Sequence, residues 1–224
     1  MKLTIGTTYY NNPEYLIKFI DRNFEYVDEI IIVDDGSSLP ISDFVTPTDK
    51  IKLFRVTEDI GFNSHGCRNL IMKQAKNNWV ILMDIDREFI FVEEAYKTIY
   101  DAHLNPDILY RFMAHSNIKE SHISVNDFLI HRNHFFSAGG YDEELIGMRT
   151  GDREYFKQLL HFGREKVLYG VDMLLTRKPS AQIKHLARSQ HDRPIDKSIM
   201  KLIDHRINFP NPEKPILTFN WIQL

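Results

Sequence analysis

Apolar residues in the first half of this chain occur as short unbroken runs, separated by stretches in which they recur at helical spacing. Residues 3–7 are such a run, after which Asn12 and Pro13 supply an N-cap and a first-turn proline for a helix whose apolar face is Leu16, Ile17, Ile20 and Phe24. An isoleucine-rich run follows at 29–33, another at 51–56, then a helix of roughly 64–76 and a fourth run at 79–83. Continuous apolar runs predict strands buried on both faces. Joined by helices, they predict a parallel α/β sheet of Rossmann-like kind, flanked by helices and connected by right-handed crossovers. Such sheets bind ligands beyond the carboxyl ends of their strands, where the strand order reverses.

The second half is less regular. A helix at about 91–103 leads to strands near 108–112 and 124–131. Asn133 is placed to cap a short helix ending at Gly139-Gly140, and 152–162 reads as a helix stopped by Gly163. Pro194, Pro210, Pro212 and Pro215 predict a final helix followed by an extended tail. The chain therefore divides into a ligand-binding half, 1–104, and a second half, 105–224, within one compact unit.

The polar clusters of the first half all fall at strand ends. Thr7-Thr8-Tyr9-Tyr10 follows the first strand, Asp34-Asp35-Gly36-Ser37-Ser38 the second, Glu58-Asp59-Ile60-Gly61 the third and Asp84-Ile85-Asp86 the fourth. An isolated Asp-x-Asp is most often an ordinary acidic turn. Four polar strand ends in register imply one shared crevice. There, two carboxylates one residue apart suit a hard divalent cation such as Mn2+ or Mg2+, which takes oxygen ligands and keeps positions open for a phosphate.

Composition narrows the setting. At 224 residues, 43% apolar and 26% charged, the chain is an ordinary globular protein that can bury a core without staples. A single cysteine, Cys67, excludes an internal disulfide framework and suits a reducing compartment. No leader-like segment and no apolar stretch of membrane-spanning length is present, so a soluble cytoplasmic protein is expected. The net charge of −3 conceals an asymmetry: between Arg177 and Arg206 eight basic residues face three acidic ones, +5 against −8 elsewhere. Such a segment is either a solvated helix face or a surface for a polyanion.

In their order and spacing, IIVDDGSS, EDIGFNSHGCRNLIMKQA, ILMDID and GGYDEELIGMRTGDREYF make the chain resemble a family-2 glycosyltransferase of the GT-A fold, over roughly residues 3–190. The resemblance implies transfer of a sugar from a nucleoside diphosphate sugar to an acceptor, with inversion and a divalent metal. By the same resemblance Thr8, Tyr10 and Asp35 grip the nucleoside, with Asp35 accepting from a uracil N–H and Tyr10 stacking on the base. Asp59 stands where many members have Asn, and Arg68 matches the arginine of an Ala-Arg-Asn run, offering a fork of donors to base or phosphate. Asp84 then faces the ribose or the metal shell, Asp86 coordinates the metal, and Asp152 is the general base. His185, after an expected strand at 181–184, is a further candidate metal ligand, ahead of His191.

Two departures stand out. Arg87 occupies a position where the family often has another Asp, and Gly151-Asp152 replaces a Glu-Asp pair, with Glu154 close enough to substitute. Three alternatives compete with this reading. A sugar-nucleotide pyrophosphorylase opens with a glycine-rich loop, which residues 7–12 lack, and a non-catalytic nucleotide-sugar-binding module has no need of Asp152. The third is a phage-type enzyme that glycosylates a hydroxymethylated DNA base, with the basic segment tracking phosphates. The acceptor is otherwise a saccharide or a lipid-linked precursor.

Overall fold

The computed structural model describes residues 1–116, 119–145, 151–175, 197–209 and 211–224. Strand β1 (Leu3–Tyr9) leads through helix α1 (Pro13–Asn23) to β2 (Glu29–Asp34), and β3 (Ile51–Val56) through α2 (Ser64–Gln74) to β4 (Trp79–Leu82). Next come β5 (Arg87–Phe89), α3 (Val92–Asp101), β6 (Ile108–Ser116), β7 (Lys119–His131), α4 (Arg132–Ser137) and α5 (Gly151–Leu159). β8 (Arg164–Leu175), α6 (Lys197–Asn208) and β9 (Trp221–Gln223) complete the described elements.

One sheet carries these nine strands in the order β5-β8-β6-β7-β4-β1-β2-β3-β9. β1 pairs in parallel with both β2 and β4, and β2 with β3. The chain thus moves outward from β1 to β3 and then returns to the far side of β1, which puts the reversal of strand order between β1 and β4. Every residue of β2 is buried, as its isoleucine run predicts for a strand covered on both faces.

The two faces form separate cores. Leu16 and Phe19 of α1 and Ala95, Tyr96 and Ile99 of α3 pack with Leu3, Ile5, Ile30, Ile81 and Phe112 on one side. Leu70 and Ile71 of α2, Phe135 of α4 and Tyr155 and Phe156 of α5 pack with Ile31, Val80, Leu82, Phe128 and Ile130 on the other. Cys67 is buried in the second core.

Several elements differ from expectation. The buried side of α1 is Tyr15, Leu16 and Phe19, with Ile20 and Phe24 at its margin, while Ile17 is 40% exposed. The apolar face is thus rotated by about one position, with the Tyr15 and Phe19 rings buried and Ile17 left at the surface. His131, not Asn133, caps α4, its ring accepting from the Asn133 N–H. β5 and β8 were not foreseen. The tail ends as a strand, with β9 pairing antiparallel to β3 and Leu224 N–H donating to the Leu53 carbonyl. The expected strand at 181–184, His185, His191 and most of the basic segment lie outside the described residues.

Candidate active site

The strand order puts the ends of β1, β2, β3 and β4 along one edge. Asp34 and Asp35, adjacent in sequence, do different work there. Asp34 is fully buried and accepts from Ser37 N–H (2.8 Å), Ile41 N–H (3.1 Å) and Arg55 Nη1 (2.9 Å), so it shapes its own loop. Asp35 is 2% exposed and accepts from Asn63 N–H at 3.0 Å, which ties the end of β2 to the start of α2. Gly36, at φ +72°, brings this loop so close to the next that a Cβ would lie 2.9 Å from Asp59 Cα. Side chains here do not fit between the loops after β2 and β3.

Tyr10 and Asp59 are likewise joined: the Tyr10 hydroxyl donates to Asp59 Oδ2 at 3.0 Å, while Asp59 Oδ1 accepts from Gly61 N–H at 3.0 Å. Thr8 is half-buried, and its Oγ1 makes no hydrogen bond to any described residue. A buried hydroxyl left this way is costly unless a ligand completes it.

The Asp84-Ile85-Asp86 turn is held more firmly than its sequence suggests. Arg68, 4% exposed on α2, donates through Nη2 to Asp84 Oδ1 (2.6 Å) and through Nη1 to the Asn126 carbonyl (2.7 Å) and the Tyr141 hydroxyl (3.1 Å). Asn126 Nδ2 donates to Asp84 Oδ2 at 3.0 Å, and Asp84 N–H donates to Asp127 Oδ1 at 2.7 Å. Both carboxylate oxygens and the backbone of Asp84 are therefore fixed. Asp86, two residues on, is half-buried in the turn leading into β5. The guanidinium of Arg68 is buried and holds Asp84 together with the Asn126 carbonyl and the Tyr141 hydroxyl.

Asn126 and Asp127 reach this place through a bulge. Arg111 of β6 pairs with Phe128, but Met113 pairs with Ile123, so β7 carries three extra residues between these pairs. Bulges bend a strand and re-aim its side chains, commonly beside active sites. Asp127 is fully buried, accepts also from the Ser124 hydroxyl at 2.5 Å, and lies 3.5 Å from Arg87 Nε. Burial, with the Asp84 charge adding to it, pushes its carboxyl up to about 7, against the opposing pull of Arg87 and its hydrogen bonds. Arg87 thus supplies charge to a carboxylate behind the turn where the family often has another acid.

A second unforeseen carboxylate braces the same region from behind. Glu143 accepts from Asn69 Nδ2 (2.9 Å), Leu217 N–H (2.8 Å), Thr218 N–H (2.8 Å) and the Thr218 hydroxyl (2.8 Å), binding the C-terminal tail to α2. Gly66, beside Arg68, admits the tail: a Cβ there would come within 2.5 Å of the Phe219 ring.

Of the sequence candidates, the structure brings together Arg68 with Asp84, Tyr10 with Asp59, and Asp35 with the loop that opens α2. Asp152 sits by its backbone in the first turn of α5, while its side chain lies outside the described set. On the basic segment, α6 carries Lys197, Lys201 and Arg206, and Arg206 is engaged by Asp142 and Glu144 at 2.9 and 2.7 Å. Among the described residues no three His, Cys, Asp or Glu side chains gather around a metal position. The donor set nonetheless fits a hard cation, since Mg2+ and Mn2+ sites often use one or two carboxylates and complete their shell with phosphate oxygens and water. No helix among the described residues is long and apolar enough to cross a membrane.

The sequence model described as glycosyl transferase family 2 matches residues 4–159. Among curated proteins none matches the sequence. Similar solved structures include a mannosyltransferase from Pyrobaculum calidifontis in complex with GDP-Man and Mn2+, at 14% identity and a TM-score of 0.64, covering 93% of this chain and 70% of that one. The catalytic domain of Drosophila beta1,4galactosyltransferase 7, in complex with xylobiose, gives 10% identity and a TM-score of 0.63, covering 96% of this chain and 82% of that one. The 4-diphosphocytidyl-2C-methyl-D-erythritol synthase of Anaerococcus prevotii gives 13% identity and a TM-score of 0.51, covering 92% and 98%. At these identities the likeness is one of fold.

Proposed function

The chain belongs to glycosyl transferase family 2, and from that premise we propose that it moves a sugar from a uridine diphosphate sugar to an acceptor hydroxyl with inversion, with Mn2+ or Mg2+ on the diphosphate. The observation that carries this reading is the fixed Asp84 at the end of β4, clamped by Arg68 and Asn126 at the point where the strand order reverses. A carboxylate held on both oxygens fixes the start of the turn that carries Asp86, which lowers the reorganisation a ligand would require there.

Thr8, Tyr10, Asp35 and Asp59 then form the nucleoside end of the site. The buried Thr8 hydroxyl, without a hydrogen bond to any described residue, supports a polar ligand group beside it, and the buried Asp35 carboxylate suits a base N–H. Asp86, with Asp84 facing the ribose or the metal shell and His185 as a further candidate, would hold the cation. When bound, that cation stabilises the negative charge that develops on the departing diphosphate.

Asp152 takes the proton of the acceptor hydroxyl as its oxygen bonds to the anomeric carbon from the side opposite the diphosphate. The bond to the diphosphate oxygen breaks, its electron pair leaving with uridine diphosphate. A cytoplasmic setting belongs to this reading, in keeping with a chain whose single cysteine builds no disulfide framework.

Diphosphate release from a panel of nucleotide sugars, in manganese and in chelator, tests the proposal. Uridine donors should be hydrolysed slowly in manganese and not in chelator, and Asp86→Asn should lose manganese-dependent donor binding. Asp152→Asn should bind donor yet lose about 10²–10⁴ in transfer rate. Preference for a guanosine donor would refute the nucleoside assignment, and full release in chelator would refute the metal. Transfer by Asp152→Asn at near the wild-type rate would move the base elsewhere, with Glu154 next to be tested.

A further inference from the structure

Beyond the level of Asp84 and Asp127, β6 and β7 continue as a hairpin, and β8 runs alongside. Three side chains from these three strands form a hydrogen-bonded chain. His115 of β6 holds Asp172 Oδ1 of β8 through Nε2 at 2.9 Å and meets the Ser121 hydroxyl of β7 through Nδ1 at 2.8 Å. His115 and Asp172 are 36% and 40% exposed at their side chains, and Ser121 is exposed. None of the three belongs to the nucleotide end of the site.

Their position relative to Asp152 follows from how α5 lies on the sheet. Just beyond the C-terminal end of α5, Arg164 N–H donates to the Asp107 carbonyl, at the start of β6. Midway along the helix, Phe156 packs under the Arg111 guanidinium at 4.9 Å, on the same sheet face. Helix α5 therefore runs opposite to β6. Asp152, one turn before Phe156, lies towards the end of β6 that carries His115. Arg111, Met113 and His115 share a face by the two-residue period of a strand. The Ser-His-Asp chain thus stands on the same face and at the same end of the sheet as the first turn of α5.

We propose that Ser121, oriented by His115 and Asp172, is an acceptor-binding group of the transfer reaction, and that the acceptor it takes is a neutral saccharide. This rests on the transferase reading above. With the Asp172 carboxylate accepting from Nε2–H, Nδ1 accepts the Ser121 proton, and the hydroxyl oxygen is left to accept from a ligand. Asp172 Oδ2 makes no hydrogen bond to any described residue, so an oxygen acceptor is left on either side of the imidazole, each able to take a hydroxyl donor of a sugar. Ile123, 41% exposed and paired with Met113, supplies an apolar surface next to them for the C–H face of a pyranose. The exposed Asp172 carboxylate disfavours a phosphate backbone at the same place, which sets a saccharide above nucleic acid.

The test measures uridine diphosphate release from an active donor with and without methyl hexopyranosides as probe acceptors, for the wild type, Ser121→Ala and His115→Ala. At least one glycoside should accelerate release, and Ser121→Ala should raise its KM by about three- to tenfold, with the change on KM rather than kcat. The same variant should melt with the wild type, because an exposed hydroxyl carries little stability. His115→Ala should shift KM at least as far. An unchanged KM in Ser121→Ala overturns the proposal, as does a fall in melting temperature with KM and kcat moving together, which marks a staple between strands. Donor hydrolysis that no glycoside accelerates, or that hydroxymethylated DNA alone accelerates, also overturns it. Absence of hydrolysis with every nucleotide sugar refutes instead the transferase chemistry on which it rests.

Discussion

Arg68 offers the sharpest separation between aiming a site and touching its ligand. Replacing it with Met removes the contacts at 2.6, 2.7 and 3.1 Å and leaves Asp84 with Asn126 as its remaining side-chain donor. Breaking a buried ion pair costs about 3–5 kcal/mol, since one charge is left uncompensated. Asp84 is 33% exposed at its side chain, and water screens what Arg68 no longer neutralises, so about 2–3 kcal/mol is the better figure. In a chain of this length that lowers the melting temperature by roughly 4–12 °C. Arg68→Lys keeps the charge but lacks the fork, reaching one partner of three, and its loss should be smaller.

Function should suffer in both variants. With Asp84 free to rotate, the turn that presents Asp86 loosens, and manganese-dependent donor binding should weaken about tenfold or more. Thermal unfolding and donor titration on the same samples check this. A melting temperature within about 1 °C of wild type in Arg68→Met would mean that the contacts carry no net energy. A destabilised Arg68→Met that binds donor with full affinity would refute the aiming role. An Arg68→Lys that is fully stable yet blind to nucleotide would assign the guanidinium to the ligand itself, as the family resemblance implies.

Three further outcomes are expected. Because the folded-state pKa of Asp127 is raised to about 7, its contribution to stability is present below the unfolded value near 3.8 and lost as pH rises through about 7, so in chelator the melting temperature of Asp127→Asn should gain on wild type between pH 5 and 8; a constant difference refutes the buried-charge argument. Glu143→Ala leaves four donors without their acceptor and should cost about 3 kcal/mol, with hydrogen exchange rising at Leu217 and Thr218; protection retained there would show that the tail is held by other contacts. In manganese, uridine diphosphate should raise the melting temperature more than the guanosine, cytidine or adenosine diphosphates, and Thr8→Val should shrink that rise if its hydroxyl meets the ligand.

The central strands were legible because burial on both faces forces an unbroken apolar run, as the six buried residues of β2 show. β8 was not, because it lies between β5 and β6, alternates buried Val171 and Met173 with half-exposed Asp172 and Leu174, and bulges after Val167 around Gly170 at φ +83°. Its residues 164–170, rich in charge and exposed tyrosine, carry no period that a strand template recognises. β9 was hidden for another reason. Its three residues gain strand geometry by pairing with β3, and the three tail donors that Glu143 gathers at Leu217 and Thr218 help to deliver them there.

At the site, the acids at strand ends could be read from sequence because each sits at a fixed place relative to an apolar run. Their partners could not, since what joins Asp84 to Arg68, Asn126 and Asp127 is contact across 16, 42 and 43 residues. One trace was available: Ser124-Val125-Asn126-Asp127 interrupts an otherwise β-rich run with residues that strands disfavour, the composition of a bulge. The departure at Arg87 acquires its meaning only through that bulge. An acid at position 87 would remove the cation now 3.5 Å from the buried Asp127 carboxylate and add a further negative charge near Asp84 and Asp127, and these charges could not all stay ionised. Arginine at 87 and aspartate at 127 therefore compensate each other, and exchanging Arg87 for the acid common in the family should destabilise this chain unless Asp127 is neutralised in the same variant.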